Sequence, residues 1–358
     1  MVKFTLRTGL FLLLCGLGAC RPAEQPFQRV SGETMGTYYA VTLRAEGDWK
    51  PAFDSLLEAI NLEVSTYIPA SLISRFNRSD SALQVGSGEY AFGVGGHFAA
   101  NFRAAAEMVK LTDAAFDPTV MPLVNYWGFG YTPKKPVTQV DSSVIDSLMR
   151  FVGFDKLEWR VDSAAGKLLI RKRDPRVQLD FSAIAKGYAV DALGALLESR
   201  GVRDFFIDIG GENLCRGSNP QGQDWRIGIS TPDPDAPMDE VQQILQLTDK
   251  GIATSGNYRN FHRVDTLTYA HIIDPRTGFP EPRTLVSVTV LADDCMHADA
   301  AATALMVMGL GKGLAWVQGQ PAYEALFISR GKDADWELTY SEGLRNFLPS
   351  EPIQVETH

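Results

Sequence analysis

Leu179-Asp180-Phe181-Ser182-Ala183-Ile184-Ala185-Lys186-Gly187-Tyr188-Ala189-Val190-Asp191-Ala192-Leu193 is the stretch that decides how the chain is to be read. The residues from about Arg176 to Phe181 predict the end of a strand, Ser182 has the chemistry of an N-cap, and a helix is predicted beyond it as far as Glu198. Backbone donors at a helix start attract anions, and Lys186 adds a full positive charge near the first turn, where the helix dipole disfavours a cation unless an anion sits opposite. Asp180 leaves the same corner. This conflict points to an anionic ligand; the plainer alternative is an ordinary corner with a solvated lysine.

Towards the N-terminus, Leu157 to Val161 and Lys167 to Arg171 predict a hairpin, and Asp141 predicts the N-cap of a helix reaching about Val152. Ala115 to Gly130 is aromatic and punctuated by Gly and Pro, which predicts irregular backbone; such a segment either lines an aromatic slot or plugs a gap between layers. Helices are predicted over Pro51 to Val64, where Phe53, Leu56, Leu57, Ile60 and Val64 fall at helical spacing, and over Gly95 to Leu111. Ser71 to Asn77 reads as a polar loop or short helix, and Val30 to Leu43 as two strands with a break at the glycines of Gly32 to Thr37.

Towards the C-terminus, Asp204 to Asn213 is a buried strand leaving into a glycine turn, and Trp225 to Ser230, Val241 to Leu247 and Leu285 to Leu291 predict further strands. Gly251 to Asn260 offers small residues where backbone can approach a phosphate or sugar. Thr268 to Gly278 predicts a strand ending in a Pro-Arg-Thr-Gly turn, with His271 set near Asp274 and Arg276. A helix from Asp293 to Met308 places Asp299 and Thr303 four residues apart on one face. A carboxylate and a hydroxyl are hard-oxygen donors suited to Mg²⁺, although an Asp that merely accepts from a Thr hydroxyl has the same spacing. Tyr323 to Ser329 and Trp336 to Tyr340 predict a closing hairpin.

The 358 residues, 45% apolar and 22% charged, fit one large or two smaller globular domains. A net charge of -9 argues against nucleic acid as the main partner. Lys3 and Arg7, the apolar run Leu10 to Leu17, and Leu17-Gly18-Ala19-Cys20 resemble a bacterial lipoprotein signal, with residues 1–19 removed and Cys20 lipidated. The apolar run is far below the ~18 residues that span a bilayer. Residues 20–29, with Pro22 and Pro26, read as a tether, and 30–350 as the folded domain. The expected location is a bacterial cell membrane, lipid-anchored and facing the periplasm. Cys215 and Cys295 are left as either a pair or two buried thiols.

Several separated motifs, in order, carry a family resemblance: Thr34-Met35-Gly36-Thr37, Ser65-Thr66-Tyr67, Phe116-Asp117-Pro118, the 179–193 stretch, Asp208-Ile209-Gly210-Gly211, Thr254-Ser255-Gly256, His271 to Gly278, and Ala298-Asp299-Ala300 with Thr303. Together they resemble the FAD:protein FMN transferases, the ApbE-type flavin transferases, over roughly Gly32 to Gly309. The resemblance implies an α+β fold of mixed β-sheets with surrounding helices around a central flavin-binding cleft. It also implies a Mg²⁺-dependent enzyme that splits FAD, transfers FMN through a phosphoester bond to a Thr or Ser of a target flavoprotein subunit, and releases AMP.

By motif match, Met35, Tyr67, Ala115, Phe116, Asp117, Asp180, Lys186 and Ile273 are expected to contact FAD. Asp299, Thr303 and the Ala183 carbonyl are expected to hold the metal, and His271 to act as base. Phe181-Ser182-Ala183 departs from the Leu and two small residues that many relatives carry after the Asp, which bears on the shape of the turn. No acceptor-type Asp-Gly-x-Ser/Thr-Gly-Ala-Thr signature occurs in the chain, which speaks against self-modification. An FAD pyrophosphatase and a non-catalytic periplasmic flavin-binding lipoprotein stay open as alternatives.

Overall fold

The computed structural model describes residues 25–349 apart from Ser87 and residues 133–138, 234–235, 238–239, 258–260, 265–266, 281–283 and 332–334; between 261 and 270 only backbone is described. The leader, Cys20 and the first half of the expected tether therefore lie outside the described residues, as does the 258–260 end of the glycine-containing stretch.

The chain opens with a hairpin of β1 (Phe27–Thr34) and β2 (Thr37–Arg44), so the first strand starts at Phe27 rather than Val30. Its two-residue turn is Met35-Gly36, with φ of 50° and 74°, the left-handed geometry that matches strand twist in a tight hairpin. Then come α1 (Lys50–Val64), α2 (Leu72–Asn77), β3 (Gln84–Val85), β4 (Glu89–Gly93) and α3 (His97–Leu111). In α1 the helical spacing marks the buried face: Phe53, Leu57, Ile60 and Val64 enter the core, while Leu56 is only partly buried at its edge.

Part of the segment expected to be irregular is helical, with a 3₁₀ turn at Pro118–Val120 followed by α4 (Met121–Tyr126). Pro118 and Pro122 stand in the first turns of these helices, where a missing N–H does no harm. α5 (Ser142–Met149) is capped by Asp141, which accepts from the Ser143 and Val144 N–H groups. The predicted hairpin follows as β5 (Leu157–Asp162) and β6 (Lys167–Lys172).

The strand predicted at Arg176 to Phe181 is absent. Val177, Leu179 and Phe181 are buried as a strand's inner face would be, yet no sheet receives the segment. Its backbone is paired otherwise: Leu179 N–H donates to Asn77 Oδ1 at 2.7 Å, Asn77 Nδ2 donates to the Leu179 carbonyl at 2.8 Å, and Asp180 N–H donates to the Pro118 carbonyl at 2.7 Å. Ser182 is not the N-cap either. Its hydroxyl and N–H donate to Asp180 Oδ1 at 2.6 and 2.9 Å, and α6 (Ala185–Ser199) begins after Ile184.

β7 (Phe205–Ile209) and β8 (Glu212–Arg216) form a hairpin across Gly210-Gly211, and β9 (Trp225–Ser230) pairs with β10 (Val241–Leu247). The remaining elements are β11 (Lys250–Gly256), β12 (Phe261–Val264), β13 (Leu267–Ala270), β14 (Leu285–Ala292), α7 (Cys295–Gln318), β15 (Glu324–Arg330) and β16 (Trp336–Tyr340). α7 passes the expected end at Met308 and runs to Gln318 across a break at Gly309, where φ is 72°.

The main sheet has eight strands in the order β1-β2-β7-β8-β11-β14-β15-β16, and a second has the order β3-β4-β6-β5; the pairings in both are antiparallel. Alternation along the central strands feeds two cores. Ala253, Ala325 and Phe327 join the helical side, whereas Ile252, Leu326 and Ile328 join Trp225, Ile227 and Leu245 on the side covered by β9 and β10. A smaller cluster of Leu123, Trp127, Ile145, Val152 and Ile273 fastens α4 and α5 to the turn after β13. The fold is α+β, with sheets and surrounding helices. Cys215 and Cys295 are buried free thiols.

Candidate active site

α6 and α7 meet start to start. A Cβ on Gly187, in the first turn of α6, would stand 2.4 Å from the Cys295 carbonyl oxygen, so glycine permits the contact. Gly187 N–H then donates to Asp299 Oδ2 at 3.1 Å. One turn later Asp191 reaches the start of α7, where its two oxygens accept from the Cys295 and Met296 N–H groups at 2.8 Å each. Carboxylates thus sit at both helix starts, where the dipole favours them.

Beside this junction lies a cavity of about 830 Å³, within the range usual for small-molecule sites. Tyr67, Ala115, Phe116, Asp117, Asp180, Ala183, Lys186, His271, Ile273, Asp299 and Thr303 all line it. Met35 is not among the lining residues; it turns the first hairpin and packs against the main core.

One side of the cavity is charged. Lys186 forms an ion pair with Glu212 Oε2, Glu212 being nearly wholly buried at the start of β8. Burial pulls the Lys186 pKa down, but the Glu212 and Asp299 carboxylates outweigh it and leave the ammonium more strongly protonated than usual. Burial pushes both carboxyls up; Lys186 opposes this at each. Ser255 Oγ and Thr303 Oγ1 are 3.1 Å apart on the same cavity wall.

A divalent cation fits this donor set. Asp299, the Thr303 and Ser255 hydroxyls and Ala183 bring hard oxygens to one cavity, and two buried carboxylates face one ammonium. Among the described residues no three His, Cys, Asp or Glu side chains gather where they could hold a metal ion, so a cation here would depend on hydroxyl and carbonyl oxygens beside Asp299.

The other side is aromatic and braced from behind. Phe116, Phe129 and Tyr67 line it, the His271 ring packs edge-on against Phe129 with centroids 6.2 Å apart, and the Tyr67 hydroxyl donates to the Phe129 carbonyl at 3.4 Å. Asp117 is occupied in holding this wall. Its Oδ1 accepts from Thr119 N–H and Oγ1 at 2.8 and 2.6 Å and its Oδ2 from Phe154 N–H at 2.9 Å, while burial raises its pKa. Asp274, which the sequence set near His271, makes a two-pronged pair with Arg276 at 2.9 and 2.8 Å that braces the turn. Trp127 Nε1 donates to the Gly278 carbonyl of that turn at 2.9 Å.

The model of the ApbE family matches residues 35–327. The chain belongs to the ApbE family.

Among its ApbE relatives, the FAD:protein FMN transferase of Vibrio cholerae is 38% identical over 85% of this chain and 87% of that protein. The Escherichia coli K12 enzyme of the same name is 32% identical over 90% and 89%. Of the solved structures, the flavin transferase ApbE from Vibrio cholerae has a TM-score of 0.78 at 35% identity, covering 90% of this chain and 100% of that one. The apo flavinyl transferase ApbE of Pseudomonas stutzeri also has a TM-score of 0.78, at 30% identity over 92% and 99%.

Sequence reasoning singled out the Asp208-Ile209-Gly210-Gly211 motif but not the residue after it. Glu212 is the cleft residue it missed; the available signal was an ionisable side chain opening a strand that is otherwise buried. Ser255 was seen as a small residue near a backbone and as part of the Thr254-Ser255-Gly256 motif, with no role for its hydroxyl, which meets that of Thr303.

Proposed function

We propose that this chain is an FAD:protein FMN transferase: it splits the diphosphate of FAD, transfers FMN through a phosphoester bond to a Thr or Ser hydroxyl of a target protein, and releases AMP. The observation that carries this reading is a single cavity with an aromatic, apolar side and a charged side where Lys186, Asp299, Thr303 and the start of α6 converge. The first suits a flavin ring and the second a diphosphate.

Asp299, Thr303 and the Ala183 carbonyl would hold Mg²⁺, which when bound supplies Lewis-acid stabilisation of diphosphate charge. Lys186 adds a fixed positive charge in the same cavity. Phe116, Phe129, Tyr67 and Ile273 orient the flavin, with Asp117 and Asp180 fixing the loops that carry it. His271 takes the proton from the attacking hydroxyl, a task suited to an imidazole near neutral pH. The acceptor protein is thus a partner, and the acidic chain has no nucleic-acid role in this scheme. The basic leader, short apolar run and Cys20 support a lipid-anchored location facing the periplasm, and Cys20→Ala should release the protein from the membrane fraction.

The test is incubation with FAD, Mg²⁺ and a peptide carrying an acceptor Thr. Gain of FMN mass by the peptide supports the transferase. FMN and AMP without peptide gain make it a pyrophosphatase, and intact FAD makes it a flavin-binding protein. His271→Ala should depress transfer and keep FAD binding; collapse of binding would make His271 structural.

A further inference from the structure

Among the described lining residues, Lys186 is the one Lys or Arg, and it interacts electrostatically with two carboxylates, Glu212 and Asp299. The ion pair it makes is with Glu212. Asp299 instead has Oδ2 on the Gly187 N–H. Glu212 is delivered rigidly, as the first residue of β8 directly after Gly210 and Gly211, whose φ values are 60° and 106°, and it sits opposite Ile209 in the ladder. Its side chain is 4% exposed against 31% for Lys186, so the acid is the fixed member of the pair. A carboxylate this buried is unfavourable without its partner, which keeps the pair closed.

We propose that Glu212 is a positioning residue that holds the Lys186 ammonium on the β8 side of the cleft, keeping it off Asp299 and leaving that carboxylate to a divalent cation. The inference rests on the reading of Asp299 as a metal ligand. Without Glu212, the remaining carboxylate that attracts Lys186 is Asp299, and a lysine paired there competes directly with the ion. A simpler role, in which the Glu212 charge attracts a cation through space, makes the opposite statement about Lys186: its presence would not matter.

The two are separated by Mn²⁺ titration of the whole protein without FAD, read from the EPR signal of free Mn²⁺, for Glu212→Gln, Lys186→Met and the double variant. Glu212→Gln is expected to weaken Mn²⁺ binding about tenfold when Lys186 is present and less than about threefold in the Lys186→Met background. An equal loss in both backgrounds, or no loss in either, overturns the proposal. Asp299→Ala is the control: if it keeps wild-type Mn²⁺ affinity, the metal reading itself fails, whereas its loss together with an uncoupled Glu212 effect refutes only the positioning role. Thermal unfolding checks each variant, and if Glu212→Gln does not fold, the same cycle is run with Glu212→Asp, whose shorter side chain loosens the pair and carries the same sign.

Discussion

Gly187 and Asp299 are joined by a 3.1 Å hydrogen bond across the contact between α6 and α7, and the missing side chain at 187 is what lets the two helix starts approach. Gly187→Ala sets two effects against each other. Alanine is the better helix former by about 1 kcal/mol, but overpacking typically costs about 1–3 kcal/mol. Here the obstructing atom is a backbone carbonyl that cannot rotate away, so overpacking should win. The expected outcome is a lower melting temperature and weaker divalent-metal binding. Gly311→Ala, also in α7 but with nothing within 4 Å of the added carbon, should be neutral or stabilising by up to about 1 kcal/mol. Equal falls for the two variants would show that the close contact does not matter.

Asn77 lies outside the cavity lining, but it pairs both the N–H and the carbonyl of Leu179, the residue before Asp180. Asn77→Ala leaves two buried backbone groups without partners, at a cost of about 1–3 kcal/mol each if no water enters. The Asp180-Ser182 turn loses its anchor at the same time. Denaturant unfolding should show reduced stability, and flavin fluorescence titration should show weaker FAD binding. Unchanged FAD affinity would mean that the turn is held without Asn77.

Asp191 provides a pH-dependent test of the same junction. Burial, reinforced by the Asp294 charge, pushes its carboxyl up to about 7 from an ordinary value of 3.8, against the pull of the Cys295 and Met296 N–H donors. An acid whose pKa is raised on folding contributes stability that is complete below its unfolded value and is lost as pH rises through its folded one. Wild type should therefore lose stability relative to Asp191→Asn as pH rises from about 4 to about 7, and run parallel to it above that. Denaturant melts across that range check it; parallel stability curves would place the carboxyl's pKa at its unfolded value.

The legible parts of this molecule were those whose cause is local. The apolar spacing in α1 and the Asp141 cap of α5 act within a few residues, and each element starts where those residues placed it, although α5 stops at Met149, short of the expected Val152. The 176–181 segment shows the limit. Its inward side chains are those of a strand, but the backbone partners are an Asn side chain and a loop carbonyl from distant parts of the chain. Ser182 had the right chemistry for a cap, and Asp180 two residues earlier took its hydroxyl. The helix predicted to Met308 runs on in α7 to Gln318, because residues packed on both sides of the break at Gly309 carry the element onward. The gathering of Lys186, Asp299, Thr303 and His271 in one cleft was legible through the ordered family motifs and not through any single spacing. Glu212 escaped because its meaning lies in the lysine opposite, 26 residues away in the chain and adjacent in space.

Asp293 and Asp299 lie at the same end of α7 and make opposite predictions. Asp293 is 79% exposed in its side chain and pairs with Lys250 at 2.7 Å, a solvated ion pair worth about 0–1 kcal/mol. Asp299 is buried, lines the cleft and accepts from Gly187 N–H. On the proposed reading of Asp299 as a metal ligand, Asp299→Ala should reduce transfer at least about a hundredfold, since losing such a ligand would forfeit several kcal/mol of charge stabilisation in the transition state. Asp293→Ala should stay within about twofold of wild type. Chelation of divalent ions should bring wild type down to the level of Asp299→Ala and leave that variant unchanged. Transfer assays with and without chelator decide it: comparable losses in the two variants would assign the effect to the integrity of the helix start as a whole rather than to the carboxylate facing the cleft.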